Sequence, residues 1–299
     1  MTRTLLGLSF LLVSCFGAVA SPQKLAFERG TGIWIANLDG TDAKKITKGS
    51  APDISPDGTR IAFHMDESTN KDVTRHIAIA DVATKKVTVF TKDIPRDKCQ
   101  RAVWSPDGSH ILFEIWTEND WHLAMINADG SGFRYVKIAQ SSQKTLFSAC
   151  WAPDGRSIYA QDFEFLYLFG LDGSELKHWN LKSLLPEFSL NGASNISLSP
   201  DGKTVLADAE SETEAVNVPD WDGLAQSVWT IDLALGKAER LTPKGMMAWH
   251  ACWLSPSRIL FTSQSAAEKQ PTIHEMSLPE KRSKLLLKNA QNPSAPRQP

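Results

Sequence analysis

Two sets of side chains in this 299-residue chain recur at fixed offsets, and they are its best candidates for chemistry. Three residues ahead of a recurring Trp or its equivalent stand Ala51, Arg101, Ser148, Asn195 and His250. Directly after a recurring Ile-x-Phe-like stretch stand His64, Glu114, Gln161, Asp208 and Thr262. Arg101, His250, His64, Glu114, Asp208 and Asn195 carry charge or hydrogen-bonding groups, the equipment for holding a polar partner or ligand. His64 and His250 are the two histidines of these sets. A further candidate is Trp221, set in the acidic stretch 208–223 as Asp220-Trp-Asp-Gly223. An indole flanked by acids suits an exposed anchor for a protein or a sugar. The Asp-x-Asp-Gly fragment lacks the other ligands of a calcium loop, so a solvated acidic lid is the simpler reading. Trp116 and Trp121 flank another loop.

The usual signatures of catalysis are missing. The chain has no Gly-x-Ser-x-Gly elbow, no Cys-x-x-Cys, no His-Glu-x-x-His and no Gly-rich phosphate loop. Ser141-x-x-Lys144 is a pair that arises easily by chance. The expectation is a binding protein without cofactor or metal rather than an enzyme.

The offsets exist because the chain repeats. Ile54-Ser-Pro-Asp-Gly-Thr-Arg-Ile-Ala-Phe63 returns as Trp104-Ser-Pro-Asp-Gly-Ser-His-Ile-Leu-Phe113, Trp151-Ala-Pro-Asp-Gly-Arg-Ser-Ile-Tyr-Ala160 and Leu198-Ser-Pro-Asp-Gly-Lys-Thr-Val-Leu-Ala207. A shorter copy runs Trp253-Leu-Ser-Pro-Ser-Arg-Ile-Leu-Phe261. Pro presets φ at the first central turn position, and Gly takes the left-handed conformation that closes the hairpin. The alternating residues on either side read as half-buried strands. A second strand pair follows in each unit, as in Ile33–Asn37 before Lys45–Thr47, Leu123–Asn127 before Tyr135–Val136 and Val228–Asp232 before Leu241–Thr242. Six such outer pairs, each completing a four-stranded antiparallel sheet, predict an all-β, six-bladed β-propeller occupying residues 21–299 as one domain. Only Leu181–Phe188 has room for a helical turn. In such a ring the two polar sets lie at the channel mouth, on the face that carries the longer loops.

The Trp-Ser-Pro-Asp-Gly-x-x-Ile-x-Phe unit, with its trailing Asp-Gly and Leu-Thr, resembles the repeat of TolB-type propellers, relatives of the WD-type repeat. The resemblance covers essentially the whole chain after the first 20 residues. It implies a propeller without the N-terminal α/β domain of that family. It also implies a protein partner in the cell envelope, since TolB-like propellers contact peptidoglycan-associated lipoproteins. A sugar-lyase family with a similar repeat uses channel-mouth histidines and a metal, so a metal-assisted carbohydrate-active enzyme stands as the alternative. A small-ligand or glycan sensor is the third reading.

The ends and the composition fill in the rest. Residues 1–20 have a basic start at Arg3, an apolar core over Leu5–Val13 and Ala18-Val-Ala20, the order of a cleaved export signal. Leu12-Val-Ser-Cys15 also resembles a lipoprotein box, so a lipid anchor at Cys15 is the other reading. Export implies a periplasmic or secreted protein. Cys99, Cys150 and Cys252 are an odd set for an oxidising compartment; they read as small buried hydrophobes, with a Cys99–Cys150 bridge as the alternative. A net charge of −2 argues against a nucleic-acid partner, and no later segment is apolar enough to span a membrane. A monomer is expected. The first unit lacks a Ser-Pro-Asp-Gly strand of its own. Either 294–299, whose Ser294-Ala-Pro-Arg297 is similar to Ser50-Ala-Pro-Asp53, supplies its inner strand, or the tail 289–299 frays for want of an apolar anchor.

Overall fold

The computed structural model describes residues 24–68, 73–92, 94–95, 98–117, 120–138, 145–218 and 221–297. The export signal, Cys15, Asp220 and the Ser141–Lys144 pair lie outside the described residues. The chain begins with β1 (Lys24–Arg29), β2 (Gly32–Asn37) and β3 (Lys44–Lys48), then β4 (Ser50–Ile54), β5 (Arg60–Ser68), β6 (Val73–Asp81) and β7 (Val87–Val89). Next come β8 (Lys98–Trp104), β9 (His110–Thr117), β10 (Asp120–Asn127) and β11 (Arg134–Tyr135), followed by β12 (Phe147–Trp151), β13 (Ser157–Gln161), β14 (Phe165–Gly170) and β15 (Glu175–Asn180). A single helical turn, α1 (Leu181–Leu184), precedes β16 (Ile196–Leu198), β17 (Thr204–Ser211), β18 (Ala225–Asp232) and β19 (Lys237–Arg240). The chain closes with β20 (Met247–Ser255), β21 (Arg258–Gln264), β22 (Thr272–Ser277), β23 (Arg282–Lys288) and β24 (Gln291–Ser294).

Four sheets hold four strands each, in the orders β24-β1-β2-β3, β12-β13-β14-β15, β16-β17-β18-β19 and β20-β21-β22-β23. The fifth holds eight: β4–β7 and β8–β11 are two antiparallel runs joined through one parallel pair, Arg75 with Lys98. The first strands touch one another in the order β24, β4, β8, β12, β16, β20, and β20 lies against β24. The cores lie between neighbouring sheets. Ile77 and Ile79 pack with Trp104, Ile111 and Phe113, Leu112 and Met125 with Trp151 and Ile158, and Leu260 and Ile273 with Leu25 and Phe27.

The repeat residues explain the hairpins and the joints between sheets. Gly58, Gly108, Gly155 and Gly202 all have φ between 64° and 72°, the left-handed value the turn needs. Where a Ser precedes Pro-Asp-Gly, it and the Asp add a network: Ser105 Oγ donates to Asp107 Oδ1 at 2.6 Å, and Asp107 accepts from Ser109 N at 3.0 Å. These bonds hold the Asp107 carboxyl down at about 2. The recurring Trp is more than core. Trp104, Trp151 and Trp253 donate their indole N–H to Asp53 O (3.0 Å), Val103 O (3.2 Å) and Ser197 O (3.1 Å), each on the first strand of the preceding repeat. One residue type thus fills the gap between sheets and staples its polar edge.

Two expectations need correcting. The outer strand expected at Leu241–Thr242 is β19 at 237–240; Leu241 and Thr242 follow it as buried residues. The tail does not fray: β24 pairs antiparallel with β1, Ala26 opposite Ser294 and Glu28 opposite Gln291. The strand is set three residues from where the Ser-Ala-Pro likeness put it, because Ser294 occupies the place of Asp53 rather than of Ser50. Its anchors are polar: Ser294 Oγ donates to Asp53 Oδ1 (2.9 Å) and accepts from Ile54 N (3.0 Å). Cys99, Cys150 and Cys252 form no disulfide, in keeping with their reading as small buried hydrophobes, and burial pushes Cys150 and Cys252 up to about 12.

Candidate binding site

The first strand of nearly every sheet carries the same irregularity. Ala51, Arg101, Ser148, His250 and Asn292 all have φ between 49° and 58°, at a register shift in the pairing with the next strand or, for Asn292, with β1. A left-handed non-glycine residue costs about 1–2 kcal/mol, so something must hold it. In four of the five, what holds it is a polar side chain from the neighbouring sheet. Ala51 N donates to Glu28 Oε1 (2.5 Å), Ser148 N to Glu114 Oε1 (2.7 Å), His250 N to Asp208 Oδ2 (2.6 Å) and Asn292 N to Thr262 Oγ1 (2.9 Å). The acceptors are the residues that follow the Ile-x-Phe stretch, together with Glu28 after Phe27.

The seven residues singled out in the sequence therefore divide. Glu114 and Asp208 are buried and spent on these joints. Glu114 also accepts from Gln100 Nε2 (2.9 Å) and lies 3.8 Å from Arg101 Nε. Asp208 also accepts from Asn195 N (3.2 Å) and Ala251 N (3.4 Å). Burial raises both carboxyls against those bonds, Asp208 to about 7. His64 occupies the corresponding place in β5, yet its Nδ1 is buried with no hydrogen-bond partner. Burial, then the Arg75 and Arg101 charges, hold His64 down to about 4, and burial with Arg101 holds His250 down to about 3. Both imidazoles are neutral at pH 7.

Arg101, His64, His250, Asn195, Asp208 and Trp221 all line one cavity of about 1160 Å³. It runs between the first strands, from Pro56, Asp107 and Pro153 at the turn end to Trp249, Gln226 and Asn292 at the other. Glu114 sits behind the wall, under Arg101. Arg101 is held across the cavity wall: Nη1 donates to Ser194 O at 2.8 Å. Asn195 Nδ2 donates to Ala251 O at 2.9 Å. Trp221 is 41% exposed, with its indole N–H on Leu224 O.

Two lining residues escaped the offset argument. Asp53 accepts from Trp104 N (2.7 Å) and pairs with Arg297 Nη2 at 3.6 Å, tying β4, β8 and the C-terminus together. Its signal was present: Val103, Cys150, Ser197 and Cys252 stand at the equivalent place, so Asp53 is the one charge there. Arg297 could not be found this way, because the strand register that places it is set by polar contacts. Among the described residues, no group of three or more His, Cys, Asp and Glu side chains is arranged to hold a metal ion. No described helix is long and apolar enough to cross a membrane.

No family model matches the sequence, and no curated protein matches it. Solved structures do match. TolB from Acinetobacter baumannii aligns at TM-score 0.66 and 15% identity, over 92% of this chain and 67% of that one. A putative TolB from Agrobacterium tumefaciens aligns at 0.62 and 15%, over 92% and 94%. An oligogalacturonate lyase from Vibrio parahaemolyticus aligns at 0.51 and 16%, over 84% and 73%. At such identities the likeness speaks for fold and not for activity. On repeat, strand order and structural likeness together, the chain has a β-propeller fold similar to that of TolB.

Proposed function

We propose that this chain is an exported, non-catalytic binding module, a six-bladed propeller over residues 21–299 that meets an envelope protein at the loop end of its central cavity. The observation that carries this reading is the cavity itself. It gathers Arg101, His64, His250, Asn195 and Trp221 at one end of the ring of first strands. Six blades follow if the eight-stranded sheet counts as two, which its single parallel pair favours. Export rests on the composition of residues 1–20, cleaved after Ala20 or anchored at Cys15, and points to the periplasm or beyond. The TolB likeness favours a lipoprotein as the partner, and the chain acts as a monomer. Arg101 is the recognition centre: a guanidinium that faces the cavity beside two neutral imidazoles and several amides suits a carboxylate or backbone carbonyls of a partner segment.

The metal-assisted lyase reading draws on the same two histidines, but no third ligand of the usual kind stands with them among the described residues. The test is capture from an envelope extract, with the parent chain compared with the Arg101→Ala/His250→Gln double variant. A partner retained by the parent and lost by the folded double variant supports the reading. Equal retention by both, or no partner for either, contradicts it.

A further inference from the structure

The described residues of the loops beyond β9, β13 and β17 form a rim beside the cavity that carries aromatic and acidic side chains together. Phe163 sits at the tip of the β13–β14 turn with φ +74°, half exposed, between Asp162 and Glu164. A bulky residue in this region is an outlier, and its flanks hold it there. Phe163 N donates to Gln161 Oε1 (2.6 Å), while Asp162 Oδ1 accepts from Glu164 N (3.0 Å) and Phe165 N (2.8 Å). The ring points outward and rests on Phe147, with centroids 4.9 Å apart. On one side, Trp116 and Trp121 meet edge-on at 5.5 Å across the β9–β10 hairpin. On the other, Trp221 and Leu224 are exposed in the loop before β18.

Contacts tie the three places into one surface. Thr145 Oγ1 donates to Asp120 Oδ1 beside Trp121. Gly192 lies so close to Phe147 that an added Cβ would meet its ring at 3.2 Å. Asn191 Nδ2 and Gln226 Nε2 both donate to Glu210 Oε1, leading on to the Trp221 loop. Within these loop segments the charge is of one sign, while Lys98 lies opposite Trp116 in the β8–β9 pairing and Arg240 pairs with Glu214. Residues 117–121, 161–165 and 208–226 contain no Lys, Arg or His, whereas the described acids there include Asp120, Asp162, Glu164, Glu210, Glu212 and Asp222. Exposed apolar residues elsewhere, such as Leu176 and Leu235, carry no comparable neighbours and need no explanation.

We infer that this rim docks a cationic polypeptide segment that places apolar side chains on Phe163, Trp121 and Trp221 and lysines or arginines between them. The aromatic stations supply desolvated contact and cation–π faces, and the acids beside them select positive charge. The inference deepens the reading of the chain as a binding module and rests on it. It adds the chemistry of the partner and a footprint separate from Arg101.

The test uses the purified full chain and a fluorescein-labelled 12-residue peptide of alternating Lys and Phe, with an alternating Glu and Phe peptide and a Lys and Gly peptide beside it. The Lys–Phe peptide is expected to bind, to bind more weakly as salt rises, and to exceed both controls. Phe163→Gly, which suits the left-handed backbone and leaves the fold intact by thermal melt, is expected to weaken binding at least tenfold. Trp221→Ala should weaken it as well, and Leu176→Ala on an outer strand should not. Equal binding of the Glu–Phe peptide, or unchanged binding to both Phe163→Gly and Trp221→Ala, overturns the inference. Loss in Arg101→Ala with retention in Phe163→Gly overturns the rim while leaving the cavity-mouth reading in place. Failure of the envelope capture with this peptide binding intact would leave the rim and remove the other.

Discussion

The joint between β17 and β20 and the joint between β5 and β8 occupy equivalent places three steps apart in the ring of first strands, and they are built differently. In the first, the Asp208 carboxylate takes the backbone N–H of His250, Ala251 and Asn195 and is wholly used up. In the second, His64 stands where Asp208 stands, with a buried Nδ1 that bonds to nothing. The residue it would hold, Arg101, keeps its left-handed backbone but sends its side chain to Ser194 O and toward Glu114. The first joint is finished by its own atoms, and the second leaves a cation and an open imidazole on the cavity wall. A ring of equivalent positions is thus partly fastening and partly open cavity wall, and the carboxylates mark the fastenings.

That contrast has consequences for stability. Removing a fastening leaves two or three buried N–H groups without an acceptor, each costing about 1–3 kcal/mol. Asp208→Ala and Glu114→Ala are therefore expected to lose roughly 2–4 kcal/mol in urea unfolding, whereas His64→Ala should lose less than about 1 kcal/mol. Equal losses at all three positions would erase the distinction.

The contrast sharpens with pH. Folded His250 holds its proton only below about 3, against 6.5 in the unfolded chain, so the unfolded chain takes up the extra proton and stability falls as pH drops below 6.5. Asp208 runs the other way. Folded, it binds its proton from about 7, against 3.8, so it adds stability as pH falls through 7 toward 3.8. Melting temperatures between pH 7 and 4 should then fall less steeply in His250→Gln and more steeply in Asp208→Asn than in the parent.

The smallest effect concerns the strained backbone itself. Ala51, at φ 51°, donates only its N–H to Glu28 and has no side chain to lose. Ala51→Gly should stabilise the protein by up to about 1 kcal/mol, because glycine takes this conformation without the Cβ clash. A clear loss in calorimetry would mean that the backbone is not strained there.

Much of the fold was legible because its repeat is written in backbone chemistry. Pro-Asp-Gly fixes a turn locally, and Ile-x-Phe fixes a strand locally, so four of the hairpins could be placed from their residues. The register of β24 was not, since Ser294, Asn292 and Arg297 find partners more than 190 residues away that no local pattern announces. The polar ring was half legible. A constant offset located Arg101, His250, Glu114 and Asp208, but equal offsets cannot tell an acceptor spent on a neighbouring strand from a side chain turned to the cavity. That difference is made by the bulge at Ala51, Arg101, Ser148, His250 and Asn292, and only the packing of one sheet on the next reveals it.

The most direct test of the account is site-specific photo-crosslinking in cells that express the chain from its own gene. A diazirine side chain at Asn195, on the cavity wall, would be compared with one at Thr59 on the turn face. The account predicts a discrete protein adduct from position 195 and none from position 59. An adduct from position 59 alone, or equal adducts from both, would place the working surface elsewhere and contradict it.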